Sequence, residues 1–193
     1  MDRVGEIVES STYRFVGQCY RLHEPPSLGV LVKTRDGTTE IFAVVVGAET
    51  TGLEPGRRPI ARGEFEVTEE AVFASNPQLA KLLVTTFTAV VVGYCSASTV
   101  HYYLPERPAR VHSFVYVCDD ASARDFSASA EFVDLLFGAE RELPVDEVIA
   151  ASLRYLSRLQ EDPERFLVQA GKRLAARVGD DLQRLNSILK RLV

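Results

Sequence analysis

Four β signals crowd into the first fifty residues, and nothing else in the chain constrains the fold as much. Residues 4–11 (Val-Gly-Glu-Ile-Val-Glu-Ser-Ser) form the first. Residues 13–20 set bulky apolar side chains such as Phe15 and Cys19 among polar or small ones, the pattern of a half-buried strand. Residues 28–33 supply a third strand, and Arg35-Asp36-Gly37-Thr38 carries an Asp-Gly hairpin turn into a fourth at 40–47. Short strands in such close succession leave unpaired edges unless the sheet curls shut, so this stretch predicts a small closed β-barrel.

Beyond it the pattern is mixed. Gly and Pro make 52–59 a loop, and Ser75-Asn76-Pro77 reads as a cap with Pro at the first helical position, predicting a short helix to about Leu83. Residues 86–94, with Val90, Val91 and Val92, read as a buried strand, and 111–117 as another. Then the period changes. Residues 126–137 are helical in composition, and Val145, Val148, Ile149, Leu153, Leu156 and Leu159 share one face of a helix following Pro144. Pro163 opens a further helix containing Leu167, Leu174 and Val178; after Gly179 and a cap at Asp180, Leu182, Leu185, Leu189 and Leu192 continue at spacings of three and four. That last pair reads as a helical hairpin packed on its own domain or as a seam for a partner helix. The expected class is therefore α+β: a barrel over 1–70, a mixed strand and helix segment over 71–138 packed on it, and a helical region over 139–193.

With 193 residues, 46% of them hydrophobic, the chain can bury a substantial core. It contains no apolar run of the ~20 residues a spanning helix needs, and Met1-Asp2-Arg3-Val4 lacks a signal-peptide layout, so a cytoplasmic protein is expected. Cys19, Cys95 and Cys118 are odd in number and widely spaced, which predicts core thiols rather than disulfides or a zinc ribbon. The net charge of −5 is unevenly spread: residues 1–138 carry 12 Lys and Arg against 18 Asp and Glu, whereas 139–193 carry 10 against 9. The basic excess lies late, where Arg173, Arg177, Arg184, Lys190 and Arg191 are the residues available to touch nucleic acid, the more ordinary use of such a stripe being to solvate a helix.

Candidate chemistry is sparse. A phosphate-cradling loop needs glycines followed by Lys and Ser or Thr, and Gly171-Lys172-Arg173 lacks both the upstream Gly and the hydroxyl. Asp119 and Asp120, at a strand end, are the best pair for a divalent metal, although adjacent acids more commonly cap the next helix. His101 and His112 flank a Pro-rich loop and His23 precedes Pro25, but none has a nucleophile beside it, so structural or solvated roles are expected and neither catalytic residues nor a cofactor is assigned. Tyr102, Tyr103 and Tyr116 offer rings for stacking bases or, more simply, for packing. Arg57, Arg58 and Arg62 form a basic loop cluster.

The Gly-containing first strand and the run Pro26-Ser27-Leu28-Gly29-Val30-Leu31-Val32, which fits P-x-L-G-x-h-V with h apolar, resemble the HAS barrel shared by HerA-type DNA-translocating ATPases and rotary ATP synthase subunits. The segment from Tyr103-Leu104-Pro105 to Val117 is similar to the continuation after HerA-type barrels. The resemblance implies a barrel without its ATPase core, serving as an accessory or assembly module of a DNA-processing motor. It further implies partners of the HerA-like ATPase or NurA-like nuclease kind, or a homo-oligomer. Loops carry such contacts, which singles out Pro25 and Pro26, Arg57 and Arg58, and Pro105, Arg107 and Pro108. The alternative is a DNA- or RNA-binding module that uses barrel loops and the basic C-terminal helices.

Overall fold

The computed structural model describes residues 2–54, 56, 58–139 and 144–192. Seven strands, β1 (Arg3–Ser10), β2 (Arg14–Cys19), β3 (Leu31–Asp36), β4 (Thr39–Gly52), β5 (Leu83–Ser96), β6 (Thr99–His101) and β7 (Phe114–Val117), form one antiparallel sheet in the order β2-β1-β7-β3-β4-β5-β6. Pairing of β2 with β5 closes six of them into a barrel, while β6 extends β5 as a hairpin outside the closure. The expected α+β class with an N-terminal closed barrel is what the chain adopts. Two of the six staves, β5 and β7, come from residues 71–138, because closure is made by contacts distant in sequence, which local patterning does not register.

Alternation along the strands separates two cores. Ile7, Phe15, Val32, Ile41, Ala43, Val45, Phe87, Ala89, Val91 and Val115 fill the lumen, leaving it packed rather than open. The opposite faces of β3, β4 and β5, with Leu31, Phe42, Val44, Val46, Val90 and Val92, lie under the helices in a second core. Burial on both faces explains why residues 41–46 are continuously apolar instead of alternating. Bulges where Phe42 pairs with Gly93 but Ala43 with Val91, and where Val45 pairs with Ala89 but Gly47 with Thr88, bend the β4–β5 ribbon around the barrel.

The helices are α1 (Glu69–Ser75), α2 (Leu79–Leu82), α3 (Asp120–Ser127), α4 (Val133–Gly138), α5 (Val145–Ser157), α6 (Pro163–Val178) and α7 (Leu182–Lys190), with a single 3₁₀ turn at Ala130–Phe132 among the described residues. The predicted face of α5 is the buried one: Val145, Val148, Ile149, Leu153 and Leu156 all reach the core. The last two helices pack on this same domain, with Phe166, Ala170, Leu174 and Ile188 buried. Their predicted hairpin is therefore an internal one.

Several boundaries differ from the sequence reading for identifiable reasons. The third strand begins at Leu31 rather than 28, because Gly29 takes a left-handed φ of 81° and presses against α5; a Cβ there would lie 2.5 Å from the Ser152 backbone nitrogen. The short helix expected to about Leu83 forms as α2, but it opens at Leu79 instead of at Asn76-Pro77: Asn76 closes α1, its N–H donating to the Val72 carbonyl, and Pro77 discourages continuation. The helix that does form upstream starts with a Thr68 cap and Glu69 and Glu70 in its first turn. Residues 126–137 split between α3, the 3₁₀ turn and α4, and the cap of α7 is Asp181, not Asp180. The strand expected from 111 begins at Phe114, after His112 at a φ of 69°. Among the described residues no helix is long and apolar enough to cross a membrane.

Candidate functional surfaces

The fourteen-residue strands β4 and β5 run roughly 45 Å if straight, so their two ends lie far apart. Each end carries a surface, and the residues expected to make contacts are divided between them.

At one end the β5–β6 turn holds Ala97 and Ser98 at positive φ, as a two-residue hairpin of the I′ kind requires. This turn returns the chain so that His101 pairs with Tyr94 in register, their ring centroids 4.7 Å apart. Tyr103 completes the cluster edge-on to Tyr94 at 5.5 Å, with its hydroxyl 3.1 Å from His101 Nδ1. The hydrogen bond with Tyr103, together with desolvation and the nearby Tyr103 and Glu106, pushes the Tyr94 phenol up to about 12. Beside it a polar cleft of about 290 Å³ is lined by Asp36, Thr39, Tyr94, Ser96, Glu106 and Arg107, and by the edges of Ile41 and Pro105. Arg110 Nε lies 2.9 Å from Asp36 at its rim. Of the predicted loop, Pro105 is buried while Arg107 and Pro108 are exposed.

At the other end, residues 49–52 pair with 83–86, and the connection between them carries α1 and α2 and forms an arm. Its base is fixed: Thr85 Oγ1 accepts the His23 N–H at 2.9 Å and shares a 2.7 Å hydrogen bond with Thr50, and the His23 ring meets Phe73 edge-on at 5.8 Å. Its tip is apolar and uncovered, with Ile60 70%, Phe65 90% and Val67 96% exposed. A groove of about 240 Å³ beside it is lined by Gly52, Glu54, Arg58, Ile60, Leu79 and Leu82, among others including Arg62. Arg58 and Arg62 thus share one feature, whereas Arg57 lies outside the described residues.

The remaining candidates are absorbed into the fold. Pro26 is buried and Pro25 half-buried in the loop that brings Gly29 onto α5. Asp119 caps α3, its carboxylate accepting the Ser122 N–H at 2.9 Å and the Ser122 hydroxyl at 3.1 Å. The Ser122 N–H leads in holding its pKa below the usual carboxylate range, with the Ser122 hydroxyl and Lys33 helping against desolvation. Asp120 is exposed in the first turn, and among the described residues no three His, Cys, Asp or Glu groups converge as metal ligands. Tyr102 donates to the Phe126 carbonyl at 2.7 Å, and Tyr116 is half-buried in β7. His112 Nδ1 contacts Glu6 at the barrel surface. Burial pushes the Cys19 thiol up to about 11 and Cys118 to about 12, the behaviour of core thiols, while Cys95 is half-buried.

Three of the five late basic residues are tied to acids on neighbouring helices: Arg173 to Asp134 at 2.5 Å, Arg184 to Asp146 at 2.7 Å and Arg191 to Glu147 at 2.7 Å. Arg177 and Lys190 are exposed.

Sequence reasoning missed a buried charge. Lys33, 4% exposed, points from β3 toward α3, where Nζ donates to Ser122 Oγ at 3.1 Å and pairs with Glu40 at 3.3 Å. Desolvation pushes the Glu40 carboxyl up, but Arg35 and Lys33 outweigh it and its pKa ends lower. Sequence reasoning also missed the exposure of Phe65 and Val67, since single apolar residues between acids look like ordinary loop.

No protein-family model matches the chain, and no curated protein matches it in sequence. The chain forms a closed six-stranded antiparallel barrel with a helical layer on one wall and an arm at one end that exposes apolar side chains.

Proposed function

We propose that the chain is an assembly module: a HAS-like barrel, accessory to a HerA-type DNA-processing motor, that acts through protein contacts. The arm carries this reading. Apolar side chains as exposed as Phe65 and Val67, a few residues on from Ile60 and Arg62 of the groove and flanked by charge in sequence, are the composition of a contact surface rather than of a solvated loop. The motif at 26–32 supports the family resemblance, and a closed barrel is compatible with it. The nucleic-acid reading draws less support, because Arg173, Arg184 and Arg191 already face carboxylates and bring little net positive charge to a phosphate.

The test is affinity purification of the tagged chain from its native host with identification of what co-elutes. Recovery of a HerA-like ATPase or a NurA-like nuclease supports the reading. Recovery of neither overturns it.

A further inference from the structure

We propose that the tip of the arm is a self-association surface, and that its occupant is the tip of a second copy of this chain. This deepens the assembly reading and rests on it only in taking contact to be the mode of action. Ile60, Phe65 and Val67 are 70%, 90% and 96% exposed within eight consecutive residues, a concentration of apolar surface that water disfavours unless something covers it.

The charges around them identify the occupant. Arg58 and Arg62 come first, and Glu64, Glu66, Glu69 and Glu70 follow, flanking Phe65 and Val67, so the segment has a basic stretch over 58–62 and an acidic stretch over 64–70. None of these six side chains is held in an ion pair among the described residues. A two-fold axis crossing the segment lays the basic stretch of one copy on the acidic stretch of the other, with the apolar side chains between them. A surface that meets itself must be self-complementary in this way. A partner of uniform charge would meet its own sign over half the patch, which penalises binding.

Sedimentation velocity of the full chain over roughly 1–100 µM, a span that brackets moderate affinities, measures the association. The wild type is expected to reach the mass of two chains. Phe65→Asp is expected to raise the dissociation constant at least about tenfold, the scale of losing a buried interface aromatic. Two charge variants test the pairing independently of its register. Arg58→Glu with Arg62→Glu makes the charges of residues 58–70 all acidic, and Glu64→Arg, Glu66→Arg, Glu69→Arg and Glu70→Arg together make them all basic; each variant alone should be monomeric, and their mixture should pair. Circular dichroism melting checks that every variant folds, which these exposed positions should permit. A wild type that stays at single-chain mass, including one whose tip binds some other protein, overturns the proposal, and so do a Phe65→Asp variant that associates unchanged and a mixture that fails to pair. A negative purification for ATPase or nuclease leaves this result standing, so the two readings fail separately.

Discussion

Phe126 of α3 stacks on Phe42 of β4 with ring centroids 4.4 Å apart and planes 22° from parallel, joining the helical layer to the outer wall of the barrel. Tyr102 closes over the same ring at 5.4 Å while its hydroxyl holds the Phe126 carbonyl. Phe126→Ala should therefore cost about 3–5 kcal/mol, the range for truncating a buried aromatic. A double-mutant cycle with Phe42→Ala should return a coupling of about 0.5–1.5 kcal/mol. Urea unfolding midpoints measure both, and a loss below ~1 kcal/mol for Phe126→Ala would mean the two layers are not joined here.

Gly29 and Gly37 both sit at positive φ, 81° and 61°, but only Gly29 has backbone against it. Gly37→Ala should cost about 1 kcal/mol for the left-handed conformation alone. Gly29→Ala should cost visibly more, since its methyl would enter the Ala151–Ser152 backbone of α5. Equal thermal shifts for the two variants would remove the claim that this loop is a docking point for the helix.

Glu40 and Asp119 both titrate below their ordinary values of 4.5 and 3.8 in the folded state. The unfolded chain then takes up protons first as pH drops, so the stability these groups contribute is complete above the ordinary values and drains away as pH falls through the lower folded ones. Stability measured by urea unfolding between about pH 6 and 3 should decline toward acid, and Glu40→Gln should flatten that decline. A wild-type curve that rises toward acid would contradict the sign.

Asp119→Ala should lower stability by about 1 kcal/mol through loss of the α3 cap, while Asp119→Asn, which still accepts the Ser122 N–H, should lose less. If added manganese stabilised the wild type and not Asp119→Ala, the aspartate would be a ligand and not a cap.

Arg177 and Lys190 should prove silent in stability, whereas Arg184→Ala should cost up to about 1 kcal/mol because its partner Asp146 is left on α5. Filter binding at low salt distinguishes this from a nucleic-acid role. Tight binding lost on changing Arg177 and Lys190 to Ala would restore the alternative function.

What could be read from the chain followed the range of the forces involved. The face of α5 was visible at Val145, Val148, Ile149, Leu153 and Leu156 because a 3.6-residue period is local, and β4 was visible because burial on both sides writes six consecutive apolar residues. The pairing of β2 with β5 was not, since Phe15 and Ala89 are neighbours only after closure. Lys33 in a strand reads as solvent-facing until α3 is laid over it. Asp119 could be seen as a cap candidate from spacing alone, but the ion pairs of Arg173, Arg184 and Arg191 required knowing which helices touch.

The side chains that plug the barrel decide the route of anything threaded past it. With Ile7, Phe15 and Phe87 at most 1% exposed inside, no strand of nucleic acid or peptide can pass down the axis of a single copy.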